Sequence, residues 1–568
     1  MKVVFALHNH QPIGNLDQVV AAATSEAYLP FLSALEEAPE ATRAVVHNSG
    51  PLWEWWLAHQ PDAAARFAES ERIEMLGGGW YEPVLAAIPE NDRVEQLALG
   101  QTRLQELTGD LPRGVWLGER WWDPSLAGTL HRHDIAYTLL DGENLPPELP
   151  ATRPYTLEYH GRTITAFFIS QTLRHAIPDS PVDDVIALLE RYAAQDPSGV
   201  MVFADDGEKL GHWSNSYSAG WLRRFFSEIA RHDRLELTTL ADAYAAVPSG
   251  GHLALGPCSY SEMMDWSGGH WQQLGYKRHE SAILLRRMEH MSRLLRRSSE
   301  DARRHLLRSQ CNDAYWHGAF GGSRIPYLRS AISAELISAR VAHDPRRSGW
   351  AETEMIDWRA DGQLDLYVEL PNQSWVAAAD RAGLYYFDDK PSVWPLTDVA
   401  WPDYHVLAFE DRWEAGPAPT YAMAEPVAGR GEVTVTFTSE HVDKTLKAAG
   451  RRIDVTYQLN DAPKGRFGPL FPLAIDSEAV MRIDGGVNVG VSEAGTFDGH
   501  RFRLTAGDGQ RQILISLPVP GRLELSPLTT VHTDQSGDSK TTHQGVLLWL
   551  SYPTVGSGTY SFNIEVMN

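Results

Sequence analysis

The chain has few of the residues that stabilise secreted domains or bind nucleic acids. Its 568 residues include only two cysteines, which excludes a disulfide framework and favours a reducing compartment. Acidic residues outnumber basic ones by 74 to 50, giving a formal net charge of −24, and such a chain would repel a phosphate backbone. We therefore expect no nucleic-acid partner, whereas a neutral partner such as a polysaccharide is compatible with this charge.

Long apolar segments are also missing. No run approaches the length of a membrane span. The opening segment Met1–His8 carries a single basic residue and an apolar run too short for a signal peptide. We expect a soluble, cytoplasmic protein without a membrane partner, and the sequence does not indicate its oligomeric state.

The first 245 or so residues alternate short β-type runs with longer amphipathic stretches. Such alternation predicts parallel βα units, either in a barrel or in an open doubly wound sheet. The candidate strands are Val3–Leu7, Ala44–His47, Ile73–Leu76, Gly114–Leu117, Ile135–Leu139, Thr163–Phe168, Val200–Phe203 and Leu235–Thr238.

Polar residues just past the ends of separate candidate strands favour the barrel. In a barrel every strand delivers its carboxyl-terminal loop to one face, where residues distant in sequence meet. An open sheet usually shows a Gly-rich phosphate loop after its first strand, and His8–Gly14 is not such a loop. The residues at these strand ends are His8, His10, Glu119, Asp141 and Asp206.

The rest of the chain changes character twice. Helix formers with helical spacing dominate around residues 270–345, as in His279–Arg296. From Trp350 onward apolar residues alternate with polar ones between Gly, Asp, Asn and Pro, which is typical of an antiparallel sandwich. We predict a catalytic barrel over 1–255, a helical subdomain over 256–345 and a C-terminal β-sandwich over 346–568.

Glu119 is the first candidate catalytic residue. It follows a short apolar run and stands among three tryptophans, whose faces suit sugar rings. The neighbouring Arg120 would favour the ionised carboxylate that a nucleophile requires. A structural Glu–Arg pair at a strand end is the alternative.

Asp206 is the second candidate, within an acidic patch that includes Asp205 and Glu208. Mutual repulsion would raise at least one pKa in this patch, as a general acid requires. A solvated Asp-Gly turn and a divalent metal site are the alternatives. Paired carboxylates of this kind are what glycoside cleavage needs.

His8 and His10 could face the same side of a strand end. Together with Asp141 or Asp206 they could hold zinc, or they could bind sugar hydroxyls. The polar stretch Ser309–Gly318 suits a binding surface or a buried polar network.

Several short motifs resemble glycoside hydrolase family 57, and within it the 4-α-glucanotransferase group. The resemblance is strong over roughly the first 340 residues, although Glu71–Met75 departs from the family's second motif and keeps only its acidic position, at Glu74. The matching stretches are His8–Pro12, Tyr81–Pro89, Trp116–Trp121, Asp205–Gly211 and Gln310–Gly318.

This resemblance implies a (β/α)7-type barrel, a helical region that closes the cleft, and a C-terminal antiparallel β-sandwich. It also implies retention of anomeric configuration, with Glu119 as nucleophile, Asp206 as general acid/base, and no metal or cofactor. The implied substrate-binding residues are His8, His10, Glu74, Trp116, Asp141, Trp213, Asp313 and Trp316.

We therefore expect an enzyme that cleaves α-1,4-glucan or maltooligosaccharide and passes the glycosyl unit to another sugar. A hydrolytic α-amylase on the same site is the alternative. Two further alternatives are a non-catalytic glucan-binding protein and a zinc-dependent barrel glycosidase or deacetylase.

Overall fold

The computed structural model describes residues 1–213, 219–318, 322–401, 405–484, 486–533 and 538–567. Its contacts divide the chain into two compact units. The first comprises Met1–Tyr276 and Gln310–Gly318, and the second comprises Lys277–Ser309 and Ala319–Asn568. Within the described ranges, no helix combines the length and the apolarity needed to cross a bilayer.

Seven parallel strands form the barrel of the first unit. Hydrogen bonding connects β4, β5, β6, β7, β1, β2 and β3 in that order, and a parallel bridge between Gly77 and Val115 joins the two ends of this path. The strands are β1 (Lys2–Asn9), β2 (Ala44–Asn48), β3 (Ile73–Met75), β4 (Gly114–Val115), β5 (Tyr137–Asp141), β6 (Arg162–Ile169) and β7 (Val200–Asp206).

The sequence predicted all seven of these strands, and the predicted barrel is confirmed. The eighth predicted strand also forms, as Glu236–Thr238, but it pairs beside the start of β1 and is not a member of the ring. Two short strands that were not predicted, Tyr155–Tyr159 and His252–Leu253, extend the sheet next to β6.

Apolar side chains fill the interior of the barrel. Val4 and Val200, near the starts of their strands, share one buried cluster with Leu240 and Ala243 of the helix Leu240–Ala246. This helix therefore closes the amino-terminal end of the barrel, and the carboxyl ends of the strands stay available for polar residues.

Helices connect and flank the strands of the first unit. In the helix Gly50–His59, Trp53 and Trp56 are fully buried. The helices are Asp17–Ala23, Leu29–Glu37, Gly50–His59, Pro61–Ala68, Glu90–Thr108, Leu126–Arg132, Gln171–Ala176, Val182–Gln195, Ala219–Ala230, Leu240–Ala246, Ser261–Ser267 and Trp271–Tyr276.

The second unit contains the helices His279–Leu294, Glu300–Arg308 and Pro326–His343 and two antiparallel sheets. The first sheet consists of Glu352–Ile356, Asp365–Glu369, Gln373–Ala377, Leu384–Asp389 and Trp394–Pro395. The second consists of Asp411–Trp413, Ala422–Met423, Val427–Ala428, Glu432–Thr438, Val442–Ala449, Arg452–Leu473, Val480–Ile483, Val487–Gly490, Gly495–Thr505, Gln512–Thr533 and Ser539–Met567.

Residues of both sheets share one buried apolar core, so the predicted C-terminal antiparallel sandwich is confirmed. The predicted helical region is present too, but its residues contribute to both compact units. The two domain boundaries, after residues 255 and 345, stay a prediction.

Candidate active site at the carboxyl ends of the barrel strands

The register of the barrel brings polar residues to neighbouring strand ends. His8 of β1 lies opposite Asp206 of β7 on one side and His47 of β2 on the other. Asp141 is the last residue of β5. These side chains therefore lie at the carboxyl end of the ring.

Glu119 lies in a tight turn, Gly118–Arg120, that follows β4. Glu119 and Arg120 both adopt left-handed backbone conformations, with φ of 55° and 50°, and such strained residues concentrate at functional sites. Gly118 fits here because a Cβ would lie 2.5 Å from the Pro83 carbonyl oxygen.

The neighbours of Glu119 hold both its backbone and its side chain. The Tyr260 hydroxyl donates to Glu119 Oε2 at 2.7 Å, and the Ser259 hydroxyl donates to the Glu119 carbonyl at 2.5 Å. Burial raises the pKa of Glu119 to about 7; the Tyr260 hydrogen bond opposes this rise, and the charges of Asp313 and Asp206 add to it.

The charge of Arg120 favours ionised Glu119, as the sequence predicted, but its direct contacts are with other residues. Its guanidinium donates to Asp141 Oδ1 at 2.9 Å and lies over the Tyr260 ring, 4.4 Å from the centroid. Its effect on Glu119 is weaker than that of burial, so the pKa of Glu119 rises rather than falls.

Asp206 ends β7, and its surroundings favour the protonated acid. Burial raises the pKa of Asp206, and the negative charge of Asp205 raises it further. Asp205 receives hydrogen bonds from Lys209 at 2.9 Å and from Arg174 at 3.3 Å. Although burial opposes ionisation of Asp205, these cations lower its pKa and keep its charge next to Asp206.

His10 and Asp313 form an ion pair at the same face. His10 Nε2 lies 2.9 Å from Asp313 Oδ2. Burial alone would lower the pKa of His10, but the Asp313 charge and hydrogen bond raise it well above its ordinary value. The pairing with Asp313 therefore favours the protonated form of His10.

His47 and Glu82 are site residues that sequence reasoning missed. His8 Nδ1 lies 2.9 Å from His47 Nδ1, while their Nε2 atoms lie 3.7 and 3.8 Å from the Glu82 carboxylate. Burial raises the pKa of Glu82 to about 8. Two signals were available: His47, like His8, is the next-to-last residue of its strand, and Glu82 lies in the motif Tyr81–Pro89.

Two groups of side chains in the described part of the chain have the composition of metal ligands. They are His8, His47 and Glu82, and His10, Cys311 and Asp313. Both rings are neutral, so in the Nδ1···Nδ1 hydrogen bond between His8 and His47 one Nδ1 donates and the other accepts, and the accepting ring carries its single proton on Nε2. In this arrangement only one of these Nε2 atoms is a ligand. Asp141, a ligand in the zinc alternative, is paired with Arg120.

Aromatic side chains supply flat surfaces at the site. Trp116 stacks on His8, with 4.6 Å between ring centroids and 8° between planes. Trp316 stacks on Trp266 at 5.9 Å, and its Nε1 donates to Asn312 Oδ1 at 2.8 Å. Trp213 is half-buried, and its backbone N–H donates to the Glu208 carbonyl at 2.9 Å.

Glu74 makes its hydrogen bonds toward the amino-terminal end of the barrel. Its carboxylate accepts from the Tyr137 hydroxyl at 2.6 Å and from the Ala241 backbone N–H at 3.0 Å. Ala241 is the second residue of the helix that closes the amino-terminal end of the barrel. These contacts give Glu74 a structural role in linking β3, β5 and that helix.

The polar stretch Ser309–Gly318 contains the buried polar network that its composition indicated. Gln310 donates to Asp92 at 2.6 Å and Asn312 donates to the Glu82 carbonyl at 2.7 Å, and all four residues are buried. This network holds Asp313 and Trp316, which are half-buried, beside the other candidate site residues.

Comparison with known proteins gives consistent matches. The family model "Glycosyl hydrolase family 57" matches residues 4–255, and the model "Alpha-amylase/4-alpha-glucanotransferase, middle domain" matches residues 269–342. An α-amylase of Pyrococcus abyssi is 35% identical over 71% of this chain and 67% of its own length. A 4-α-glucanotransferase of Thermococcus litoralis is 34% identical over 71% of this chain and 66% of its own length.

A solved structure supports the same relationship. The crystal structure of the 4-α-glucanotransferase from Thermococcus litoralis superposes with a TM-score of 0.87. The alignment covers 100% of this chain and 99% of that one at 26% identity.

Proposed function

Because the chain belongs to glycosyl hydrolase family 57, we propose that it is a 4-α-glucanotransferase that acts on α-1,4-glucans or maltooligosaccharides with retention of configuration. Relatives named 4-α-glucanotransferase and α-amylase match similar lengths of the chain. The two buried, unpaired cysteines suit a reducing compartment, so we place the enzyme in the cytoplasm.

The different surroundings of Glu119 and Asp206 carry this proposal. When two acids interact electrostatically and their environments differ, the proton resides mainly on one of them. Asp206 lies beside the Asp205 anion, which favours the proton on Asp206. Glu119 accepts a hydrogen bond from Tyr260, which favours its ionised form.

This distribution of the proton matches double displacement. Glu119 attacks the anomeric carbon while Asp206 protonates the departing glycosidic oxygen. Asp206 then takes the proton of an acceptor hydroxyl, which displaces Glu119 from the sugar. In this proposal His8, His10, Trp116, Trp213, Asp313 and Trp316 bind the sugars, and Asp141 stays paired with Arg120.

Incubation with maltotriose tests the proposed transfer. We expect a ladder of shorter and longer oligomers, with the α-anomer formed first by proton NMR. Replacement of Glu119→Gln removes this activity, whereas Glu69→Gln, at an exposed position outside the site, leaves it intact. An active Glu119→Gln variant contradicts the assignment of the nucleophile.

Two other outcomes would assign a different function to the same site. Production of glucose and maltose alone identifies a hydrolytic α-amylase. Loss of activity after treatment with a zinc chelator, restored by added zinc, identifies a metal-dependent enzyme; we expect unchanged activity, because the bond between His8 and His47 leaves only one of their Nε2 atoms as a ligand.

A further inference from the structure

The segment Cys258–Tyr260 contacts the proposed nucleophile at two points. Ser259 Oγ bonds the carbonyl of Glu119, and Tyr260 Oη bonds its carboxylate. These residues lie between the two ranges that the family models match, 4–255 and 269–342.

This segment is itself fixed to the turn that carries Glu119. Backbone hydrogen bonds join Trp122 N to the Cys258 carbonyl at 2.7 Å and Cys258 N to the Trp122 carbonyl at 3.0 Å. Asn144 donates to the Ser259 carbonyl at 2.8 Å. The hydroxyls of residues 259 and 260 are therefore held in place before substrate arrives.

The tyrosine ring is held as firmly as its hydroxyl. The Arg120 guanidinium covers the ring face at 4.4 Å from the centroid, and Trp266 packs against the ring at 6.2 Å with an interplanar angle of 89°. A hydroxyl on a ring fixed in this way keeps its direction.

We propose that Tyr260 is a positioning residue that aims the Glu119 carboxylate and stabilises its ionised form, while Ser259 clamps the strained backbone of the same residue. The consequence for catalysis rests on the proposed function, whereas the effect on ionisation does not. Burial raises the pKa of Glu119 to about 7, and the Tyr260 hydrogen bond keeps it from rising further.

Tyr260→Phe removes the hydroxyl and keeps the ring contacts with Arg120 and Trp266. A hydrogen bond to a charged group is strong enough that its loss should raise the pKa of Glu119 by about one unit. Because the nucleophile reacts when ionised, the acid limb of kcat/KM moves up by about one pH unit. The rate below that limb falls about tenfold, while KM for maltotriose changes little.

Tyr421→Phe is the matched control. Tyr421 Oη donates to buried Asp411 in the second unit at 2.8 Å, so this variant also loses a tyrosine–carboxylate bond. We expect it to leave the acid limb where it is. An unmoved limb in Tyr260→Phe, or equal shifts in both variants, overturns the proposal.

A second measurement does not depend on activity. Titration of protein containing 13C-labelled glutamate carboxyls, with the Glu119 signal assigned by its absence in Glu119→Gln, reports the pKa directly. A higher pKa in Tyr260→Phe supports the positioning role even if the enzyme fails to act on glucans, which separates this proposal from the proposed function. An unchanged pKa overturns it.

Discussion

Individual residues at the site differ in ionisation because their immediate neighbours differ. Asp205 and Asp206 are consecutive carboxylates, yet only Asp205 contacts the cations Arg174 and Lys209. The first therefore stays ionised and the second is driven toward its protonated form, which is the division of roles that acid catalysis requires.

Replacing Asp205→Asn should move the basic limb of the pH profile. Burial still raises the pKa of Asp206, but the variant lacks the adjacent negative charge and keeps the positive charges of Arg120 and Arg174 near Asp206. Loss of the neighbouring negative charge lowers that pKa by about one unit. Because the first step needs protonated Asp206, we expect the basic limb of kcat/KM to shift to lower pH by about the same amount.

Initial rates over a pH series measure this shift. Asp183→Asn is the control, since Asp183 is exposed and pairs with Arg224 at the surface, and its profile should match that of the unchanged protein. A basic limb that stays in place, or moves upward, contradicts the role of Asp205.

At the scale of secondary-structure elements, strand ends were predictable and long-range partners were not. Short, mainly apolar runs marked all seven barrel strands, and the polar residues at their ends marked His8, Glu119, Asp141 and Asp206. Glu82 gave no strand-end signal, because it lies in a loop and contacts His8 and His47 only where the barrel brings them together.

Motif resemblance also misses what a buried side chain contacts. Glu74 keeps the acidic position of a family motif, but residues 137 and 241, distant in sequence, determine its hydrogen bonds. Arg120 is adjacent to Glu119 in sequence, yet its left-handed backbone turns its guanidinium toward Asp141. In both cases tertiary packing, which the sequence pattern does not show, sets the direction of the side chain.

The contacts of Glu74 predict a loss of stability rather than of catalysis. Glu74→Ala removes the acceptor for the first turn of the helix Leu240–Ala246 and leaves the Tyr137 hydroxyl without its bond. Loss of a buried hydrogen-bond partner costs about 1–3 kcal/mol. We expect a lower midpoint of thermal unfolding with kcat and KM for maltotriose nearly unchanged.

Glu74→Gln tests the reason for this loss, because its carbonyl can still accept one of the two hydrogen bonds. Its unfolding midpoint should lie between those of Glu74→Ala and the unchanged protein. A large rise in KM with unaltered stability in Glu74→Ala would restore the substrate-binding role that the family resemblance implied.

At the scale of the whole molecule, the net charge of −24 predicts how salt affects the binding of uncharged and of charged partners. A maltooligosaccharide is uncharged, so its binding gains no long-range electrostatic attraction that salt could screen. We expect KM for maltotriose to change less than about twofold between about 0.05 M and about 0.5 M NaCl. Affinity for a polyanion such as duplex DNA would fall steeply over that range. Initial rates and a parallel DNA-binding titration distinguish the two, and a strong, salt-sensitive DNA complex would contradict the partner class inferred from the charge.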